Sequence, residues 1–459
     1  MDSYKNDIEF KLCEEPEVAF KYLLRDYKYI KNNKKIEYLN VPMAFDIESS
    51  SFYNEDGEKC ACMYAYTFNI NGRHILGRCW NEFLSNYNDL IDYYHPDKNH
   101  RILIFIHNLS FEFQWFSKLF EWEKVFALSK REVVYALTKD GIEFRCSYIL
   151  SGYSLAKLGD ECTMFPVKKM VGDLDYKKIR LPKYNKFEGT YLTNEEKRYI
   201  YHDGLVVVSY IMQCIINEHN NICNIPLTKT GYVRRYCRNE CLYENHSRKN
   251  SAKYLKYMSN IKALTIKSVN EYMQLKRAFI GAHTHGNPLC VGRVVYDVYS
   301  MDFTSSYPYQ MISSKNFPVS KGYKVKIESK EQFYDLIDKY CCVFDITFYN
   351  IESITPFEHF IPSSKCYEKE NCVYDNGKIV SASKISMTMN EVDFKTFSKF
   401  YKWESIGIKN FRKYMKGYLP KNFILAILHL YKDKTQLKGV PDKYAEYMHA
   451  KSNLNSAYG

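Results

Sequence analysis

An apolar segment that carries two acids, Asp46 and Glu48, most constrains what this chain can fold into. Residues 38–47 predict a buried strand that ends in these acids, and side chains two positions apart leave a strand on the same face. Two carboxylates that point together out of an apolar strand repel each other unless a cation lies between them. Hard oxygen ligands suit Mg²⁺ or Mn²⁺, so the pair predicts a divalent metal site. A strand end with solvated acids is the alternative.

Later segments add further acids. Residues 101–106 predict a second buried strand, and Glu112 lies in a helix predicted over 110–120. A capping box that begins at Thr193 predicts another helix to about residue 216, on which Tyr199 and Asp203 share a face. Strands followed by helices predict a mixed α/β fold. Four acids of this fold are expected to form one two-metal site for phosphodiester chemistry, with the Tyr199 phenol orienting a water: Asp46, Glu48, Glu112 and Asp203.

Basic charge is concentrated in one part of the chain. The net charge is +12, and residues 226–278 contain twelve lysines or arginines against three glutamates, with tyrosines interleaved. Basic side chains neutralise phosphates and aromatic rings stack on bases, although a solvated linker has a similar composition. Such a block argues against a small neutral substrate as the main partner.

The composition indicates a globular chain in a reducing compartment. Hydrophobic residues make up 46% of the 459 positions, and no apolar run approaches the roughly 18 residues that span a bilayer. The N-terminus lacks a signal-peptide pattern, so we expect a cytoplasmic protein, in the host cytoplasm if it is viral. The 15 cysteines are scattered, which predicts neither disulfides nor a structural zinc site.

A second group of polar residues lies in the C-terminal half. Residues 293–301 predict a strand that delivers Asp302 to a turn, where backbone N–H groups can meet a triphosphate. Near the end of the chain, Lys451, Asn455 and Tyr458 fall on one face of a predicted helix. A cation for a triphosphate and a ring for a base pair would then stand together. An amphipathic surface helix is the alternative.

These segments together resemble the motifs of family B DNA polymerases. Asp46-Ile47-Glu48 is similar to the exonuclease motif Exo I, and Tyr199 to Asp203 is similar to Exo III. Exo II is matched from Asn108 through Phe111, with Glu112 where the family has aspartate. Motif A is matched by Asp302, Ser305, Tyr307 and Pro308, with Ser306 where the family has leucine. Motif B is matched by Lys451, Asn455, Ser456, Tyr458 and Gly459.

The resemblance implies further DNA contacts. Ser154-Leu155 is similar to a motif that binds single-stranded primer ends. An ordinary amphipathic turn, which has a similar pattern, is the alternative. Phe279-Ile280-Gly281-Ala282 is similar to the motif that joins the two activities, with Phe279 in place of tyrosine. Family members also use a lysine just before Exo III, for which Lys168 and Lys169 both remain candidates. Metal ligands are expected at Asp46, Glu48, Asp203 and Asp302.

The implied fold is a ribonuclease H-like 3′→5′ exonuclease domain followed by an incomplete polymerase palm with an insertion and fingers helices. Compact motif spacing is similar to that of protein-primed polymerases, which start from a terminal protein. The expected parts are an N-terminal segment 1–40, an exonuclease domain 41–225, a basic connecting region 226–290, a palm 291–324, an insertion 325–385 resembling the terminal-protein region, a palm part 386–405 and fingers 406–459.

The resemblance ends at motif B, and the sequence contains no motif C aspartates or thumb. We therefore expect DNA polymerase activity to need a further segment. A fragmentary sequence, an interrupted gene and a split enzyme with a second chain all remain open. DNA primer-template, single-stranded DNA and deoxynucleoside triphosphates are the expected partners. A stand-alone metal-dependent exonuclease with an inert polymerase remnant is the alternative function, and a DNA-binding module is a third.

Overall fold

The computed structural model describes residues 9–31, 35–170, 174–242, 252–286, 288–441 and 443–458. The chain divides into two compact units, Met1–Tyr232 and Val233–Gly459. Part of the basic segment (243–251) and Gly459 of the predicted motif B lie outside the described residues. The exonuclease domain is predicted to end at residue 225, and the two compact units divide after Tyr232.

A single twisted sheet organises the first unit. Its strands are β1 Tyr29–Lys31, β2 Glu37–Leu39, β3 Met43–Tyr53, β4 Lys59–Ile70, β5 Arg73–Gly77, β6 His100–Ile106, β7 Trp122–Ala127, β8 Val133–Thr138 and β9 Ile142–Cys146. The strand order is β5-β4-β3-β6-β9-β8-β7, and β2 joins the edge of β6 with β1 beside it. The pairs of β6 with β2, β3 and β9 are parallel, and the others are antiparallel.

Helices cover both faces of this sheet. They are α1 Trp80–Tyr94, α2 Leu109–Phe116, α3 Ser147–Ser151, α4 Leu155–Asp160 and α5 Asn194–Asn217, and α6 Lys229–Leu242 runs across the boundary of the unit. On β3, Phe45 packs in the core beneath α1 and α2, while Ala44 packs in the core beneath α5. Because β side chains alternate, even-numbered residues at this end of β3 face helix α5.

The capping box predicted at Thr193 is present, and α5 runs close to its predicted length. Among the described residues, α5 is the one helix whose length and hydropathy suit a membrane span, and 78% of its apolar window is buried in the protein. That burial is typical of a core helix. Residues 61–80 predict one or two antiparallel strands with a turn at Asn71-Gly72, and strands β4 and β5 form this hairpin.

Two predictions about strand and helix ends in the first unit are wrong. The strand expected over 38–47 is split, and β3 continues to Tyr53, so Asp46 and Glu48 lie inside a strand. Helix α2 ends at Phe116 instead of continuing to residue 120. The indole of Trp122 donates a hydrogen bond to the Ser117 carbonyl at 2.7 Å, which satisfies a free group at this helix end.

The second unit combines helices with an antiparallel sheet. Its helices are α7 Ala252–Leu264, α8 Val269–Ala278, α9 Ser306–Ser313, α10 Lys330–Lys339, α11 Glu391–Phe397, α12 Lys421–Leu437 and α13 Tyr444–Ser456. Its strands are β10 Phe317–Pro318, β11 Tyr323–Lys324, β12 Cys341–Ser353, β13 Cys366–Glu370, β14 Val373–Asp375, β15 Lys378–Asn390, β16 Tyr401–Lys402, β17 Ser405–Tyr414 and β18 Lys416–Gly417. Seven strands form one sheet around β12 and β15, and β10 pairs with β18.

The strand predicted over 293–301 is absent. These residues have no regular strand in the structure, and their apolar side chains are exposed, with Tyr299 and Met301 at 88% and 94%. A strand needs a neighbour to pair its backbone groups, and no described strand lies beside this segment. The predicted domain boundary at residue 385 also divides a strand, because β15 continues to Asn390.

Candidate active site

The first unit places Asp46 and Glu48 where the sheet opens. Strand β3 pairs with β6 through Ala44 and Phe105, and β6 ends one residue later at Ile106. Beyond that point β3 keeps only β4 as a paired neighbour, so the β6 side is open. Both acids lie on the face that packs against α5. A β-bulge follows directly after Glu48, a device that re-aims side chains in strands.

Helix α5 brings the third acid to the same face. It packs on β3 and β4, and Asp203 is buried on this side. The next residue, Gly204, has no side chain to keep the helix away from the sheet. A Cβ at that position would stand only 3.3 Å from a methyl group of Thr67 on β4. The glycine within the predicted helix therefore permits the close approach that presents Asp203.

The fourth acid, Glu112, enters from helix α2. The chain leaves β6, turns through Asn108 in the left-handed region at φ 71°, and starts the helix. Ser110 fixes that start, because its hydroxyl accepts a hydrogen bond from the Val133 backbone N–H at 2.9 Å. Glu112 is only 3% exposed and interacts with Asp46. Four acids from three separate parts of the sequence therefore share one buried space.

The electrostatics of the four acids show how crowded this space is. The pKa of Asp46 lies well above its usual range, mainly because the carboxyl is buried. The negative charges of Glu112, Asp203 and Glu48 raise it further. Burial and Asp203 raise the pKa of Glu48 to about 7. Burial is also the main cause that raises the pKa of Glu112 to about 8 and that of Asp203 to about 6. Protons or cations must therefore offset this negative charge.

Lys169 is the basic residue that the structure brings to the acids. Its Nζ lies 3.4 Å from Asp203 Oδ2 and 5.8 Å from the centre of the Tyr199 ring. Its charge lowers the pKa of both Asp203 and Glu48, against the effect of burial. Lys168, the other candidate, is exposed, and its backbone carbonyl contacts His202 Nδ1 at 3.2 Å. The geometry therefore favours Lys169.

Two residues beside this cluster were not predicted from the sequence. The hydroxyl of Tyr176 lies 3.2 Å from that of Tyr199, so a second phenol flanks the one predicted to orient a water. His107 directly follows β6, and burial, with the charge of Lys169, lowers its pKa to about 4. Tyr176 lies in an irregular segment with no motif, whereas the position of His107 beside Asn108 could have drawn attention to it.

The residues present suit a hard divalent cation. Every donor in the cluster is a carboxylate oxygen, the ligand type that Mg²⁺ and Mn²⁺ prefer. Two of these oxygens, Glu112 Oε2 and Asp203 Oδ1, are buried without a hydrogen-bond partner. Buried acceptors without partners are costly unless a ligand satisfies them. Asp46, Glu48 and Asp203 are the residues that would hold the cations. No three of the four acids have ligand oxygens within 4.8 Å of one another among the described residues, so these side chains would have to move closer together around a cation.

The other predicted DNA-contact residues of the first unit lie on its surface. Asn108 and Phe111 are exposed at the start of α2, and the Phe111 ring is 42% exposed. Ser154 is exposed too, and its hydroxyl caps α4 by accepting a hydrogen bond from the Lys157 backbone N–H. Leu155 is partly buried against the core under α5. The hydroxyl of Ser154 thus has a structural partner already.

In the second unit the structure brings the predicted motifs A and B together. The rings of Tyr307 and Tyr458 stack with their centres 4.3 Å apart. Ser305, in the left-handed region at φ 53°, accepts a hydrogen bond from Lys434 Nζ at 2.8 Å. Helices α9, α12 and α13 pack on one another and so place these residues side by side. Lys434 lies on α12, outside the motifs that the sequence matches, and was not predicted as a site residue.

The remaining predicted residues of this unit are exposed. Lys451 and Asn455 are exposed on α13, while Leu454 of the same helix is buried in the hydrophobic core. Asp302 is exposed in the irregular segment before α9, without a strand to hold it. The joining motif, with Phe279, Gly281 and Ala282, is likewise exposed. The described part of the basic segment forms helices α6, α7 and α8 instead of an extended linker.

Comparisons with known proteins find similarity in the fold alone. No protein-family profile and no curated protein sequence matches the chain. Phi29 DNA polymerase complexed with primer-template DNA and incoming nucleotide substrates matches with a TM-score of 0.56 and 15% identity, over 91% of this chain and 67% of that one. Phi29 DNA polymerase complexed with single-stranded DNA matches with a TM-score of 0.60 and 16% identity over the same shares. The chain therefore has a mixed α/β fold like that of the Phi29 polymerase.

Proposed function

We propose that this chain is a DNA-directed DNA polymerase of the protein-primed family B type with a 3′→5′ exonuclease. The observation that carries the proposal is the convergence of Asp46, Glu48, Glu112 and Asp203 in one buried space. The likeness of the fold to Phi29 DNA polymerase supports the same conclusion. The first unit would carry the exonuclease, and the second unit would carry part of the polymerase site.

The nuclease mechanism follows from the roles of the chain's own side chains. Asp46, Glu48 and Asp203 would hold two Mg²⁺ or Mn²⁺ ions, which activate a water and stabilise the leaving oxygen when bound. Lys169 favours the ionised form of Asp203 and Glu48, which is the metal-binding form. Burial raises the pKa of Tyr199, so its phenol stays protonated and can position a water by a hydrogen bond.

The proposed DNA partners are those of the structural neighbours. The Phi29 polymerase structures contain primer-template DNA with incoming nucleotides in one case and single-stranded DNA in the other. In this chain Asn108, Phe111, Ser154 and Leu155 would contact a single-stranded 3′ end. The joining motif Phe279-Ile280-Gly281-Ala282 and the basic helices would contact the template. Aromatic and basic groups on these surfaces suit stacking on bases and neutralisation of phosphates.

Residues of the predicted motifs A and B would bind the incoming nucleotide. Tyr307 and Tyr458 already stack on each other, and the cation of Lys434 is bonded to Ser305, close in sequence to Tyr307. Lys451, exposed on α13, would supply a second cation. Asp302 would hold the metal ion of the polymerase site. We also propose that residues 325–385 contact a terminal protein primer, that a second chain or segment supplies motif C and the thumb, and that the protein acts in the cytoplasm.

The exonuclease is tested with the whole chain and a labelled single-stranded DNA. We expect Mg²⁺-dependent release of nucleotides from the 3′ end, and a loss on the order of 10²- to 10³-fold in Asp46→Ala, typical of removing one preorganised electrostatic group. Asp89→Ala is the matched control, because Asp89 is exposed on α1 of the same unit. Full activity in Asp46→Ala would exclude this site.

The polymerase half has a separate test. Primer extension is measured after adding a segment that carries motif C, and Asp302→Ala is expected to abolish it. Extension that persists in Asp302→Ala would contradict the assignment of motif A. A chain that digests DNA but never extends a primer would favour the alternative, a stand-alone exonuclease. One observation supports that alternative: Asp302 lies in an exposed irregular segment instead of at the end of a paired strand.

A further inference from the structure

A group of metal-ligating side chains lies in the second unit, apart from the carboxylate cluster of the first. The Nε2 atoms of His283 and His285 each lie 3.7 Å from the same Oε1 atom of Glu358. One ligand atom from each of the three residues lies within 4.8 Å of the others, and no other triplet of histidine, cysteine, aspartate or glutamate does so among the described residues. The three side chains are 27%, 35% and 31% exposed, so an ion can reach them.

The backbone on the Glu358 side is braced before any ligand binds. Glu358 lies in the turn that follows β12, where the hydroxyl of Thr355 donates a hydrogen bond to its carbonyl at 2.7 Å. The neighbouring His359 is buried, its Nδ1 lies 2.9 Å from Ser353 Oγ, and it is not part of the group. Glu358 is therefore held on a turn that needs little reorganisation.

The histidine side is held by aromatic stacking. The ring of His283 stacks on Phe360 with centres 4.2 Å apart, and Phe360 stacks in turn on Phe400 at 4.1 Å. The rings of His283 and His285 stack at 4.8 Å, which aligns their Nε2 edges toward Glu358. Ile280, three residues before His283 in the same loop, packs against the hydrophobic core of this unit. The loop thus lies against the sheet with both imidazoles on one side.

The donor set matches the chemistry of a borderline divalent metal. Two imidazole nitrogens and one carboxylate oxygen are ligands of Zn²⁺ and its neighbours, whereas Mg²⁺ prefers oxygen alone. Ligands bound about 2.0–2.1 Å from a tetrahedral ion stand about 3.3 Å apart. The two nitrogen-to-oxygen separations of 3.7 Å need only a small closure, and the ligand atoms of the two imidazoles lie within 4.8 Å of each other.

We propose that His283, His285 and Glu358 bind one divalent transition-metal ion of the zinc class, with the fourth coordination position open to water. The ion would fasten the loop that follows Gly281-Ala282 to the turn after β12. This site is independent of the proposed nuclease and polymerase functions. The sequence prediction of no structural zinc site rested on the spacing of cysteines, and none of the three ligands is a cysteine.

The test uses Co²⁺ as a spectroscopic probe with the full chain, freed of metal by a chelator. We expect one equivalent of Co²⁺ to give the visible absorption of a nitrogen-ligated ion of low coordination number, and Zn²⁺ to displace it. His285→Ala and Glu358→Gln are each expected to weaken Co²⁺ binding at least about tenfold. Zn²⁺ should also raise the melting temperature of the unaltered protein and leave that of His285→Ala unchanged.

Three control variants separate this site from other binders of metal. His95→Asn removes an exposed histidine of the first unit, Cys290→Ser removes an exposed thiol near the loop, and Asp46→Ala disables the carboxylate cluster. All three should keep the absorption. No Co²⁺ absorption, equal affinity in His285→Ala and Glu358→Gln, or loss of the signal in Cys290→Ser would each overturn the proposal. Circular dichroism checks that both ligand variants are folded.

Discussion

Four carboxylates lie together in one buried space of the first unit, and their protonation determines how the stability of this unit depends on pH. Burial raises the pKa values of Glu48, Asp203 and Glu112 to about 7, 6 and 8. A folded-state pKa above the unfolded one means that the protonated form stabilises the fold. In the metal-free protein this contribution is therefore fully present at low pH and is lost as the pH rises through about 6 to 8. A divalent cation would offset the loss.

Lys169 should control the pH at which the nuclease becomes active. Its charge lowers the pKa of Glu48 and Asp203, so Lys169→Met raises both pKa values and delays ionisation. We expect the acid limb of the pH–rate profile to move to higher pH. At a pH on the acid side of this limb, the rate of the variant should be on the order of tenfold lower for each unit by which the pKa rises. The rate of nucleotide release in Mg²⁺, measured across pH 5 to 10, checks this expectation.

Lys168→Met is the control for that measurement, since Lys168 is the exposed neighbour on the same segment. Its pH–rate profile should coincide with that of the unaltered protein. A purely structural role of Lys169 would lower the rate equally at every pH. That outcome would contradict an electrostatic role.

At the scale of elements, the turn between β4 and β5 supports the N-terminal segment as well as the sheet. Gly72 has a φ of +88°, and a Cβ there would come well under 3.0 Å from the Lys11 backbone carbonyl. The Gly72 carbonyl accepts a hydrogen bond from the Cys13 N–H, and Asn71 donates one to the Glu9 carbonyl. The predicted turn therefore also binds residues 9–13 of the N-terminal segment.

Gly72→Ala is expected to destabilise the protein by about 2 kcal/mol, the scale of a strained backbone position. Gly57→Ala is the matched control, because Gly57 also has a positive φ, +74°, but has nothing within 4 Å of its Cβ position. Chemical denaturation of both variants isolates the clash with Lys11 from the strain of the left-handed backbone. Equal destabilisation by the two substitutions would show that the close backbone approach contributes nothing.

At the scale of the whole molecule, the described hydrophobic cores do not cross the division of the chain. The three clusters around the first sheet and α5 lie at or before Tyr232, and the clusters of the second unit begin at Val233. Helix α5 is buried along most of its length and joins the core on one face of the sheet. Each unit thus has its own source of hydrophobic stabilisation.

We therefore expect residues 1–232 to fold on their own. The fragment should unfold cooperatively in a thermal circular dichroism experiment and should retain Mg²⁺-dependent digestion of single-stranded 3′ ends. A fragment that stops at residue 192 lacks α5 and with it Asp203, so it should show neither property. A non-cooperative transition in the 1–232 fragment would contradict the independence of the first core.

By itself the sequence determined the elements whose signals are local: the capped helix that carries Asp203, the turn at Asn71-Gly72, and the apolar strand that carries Asp46 and Glu48. Capping, positive φ and alternation depend on neighbouring residues, so they can be read from a short window. Only the tertiary structure decided which side chains meet. It placed Lys169 and not Lys168 beside the acids, and it brought Tyr176 next to Tyr199. It also left residues 293–301 without a strand, because no other described strand lies beside them. Contacts between segments that are distant in the sequence cannot be predicted from a short stretch of neighbouring residues.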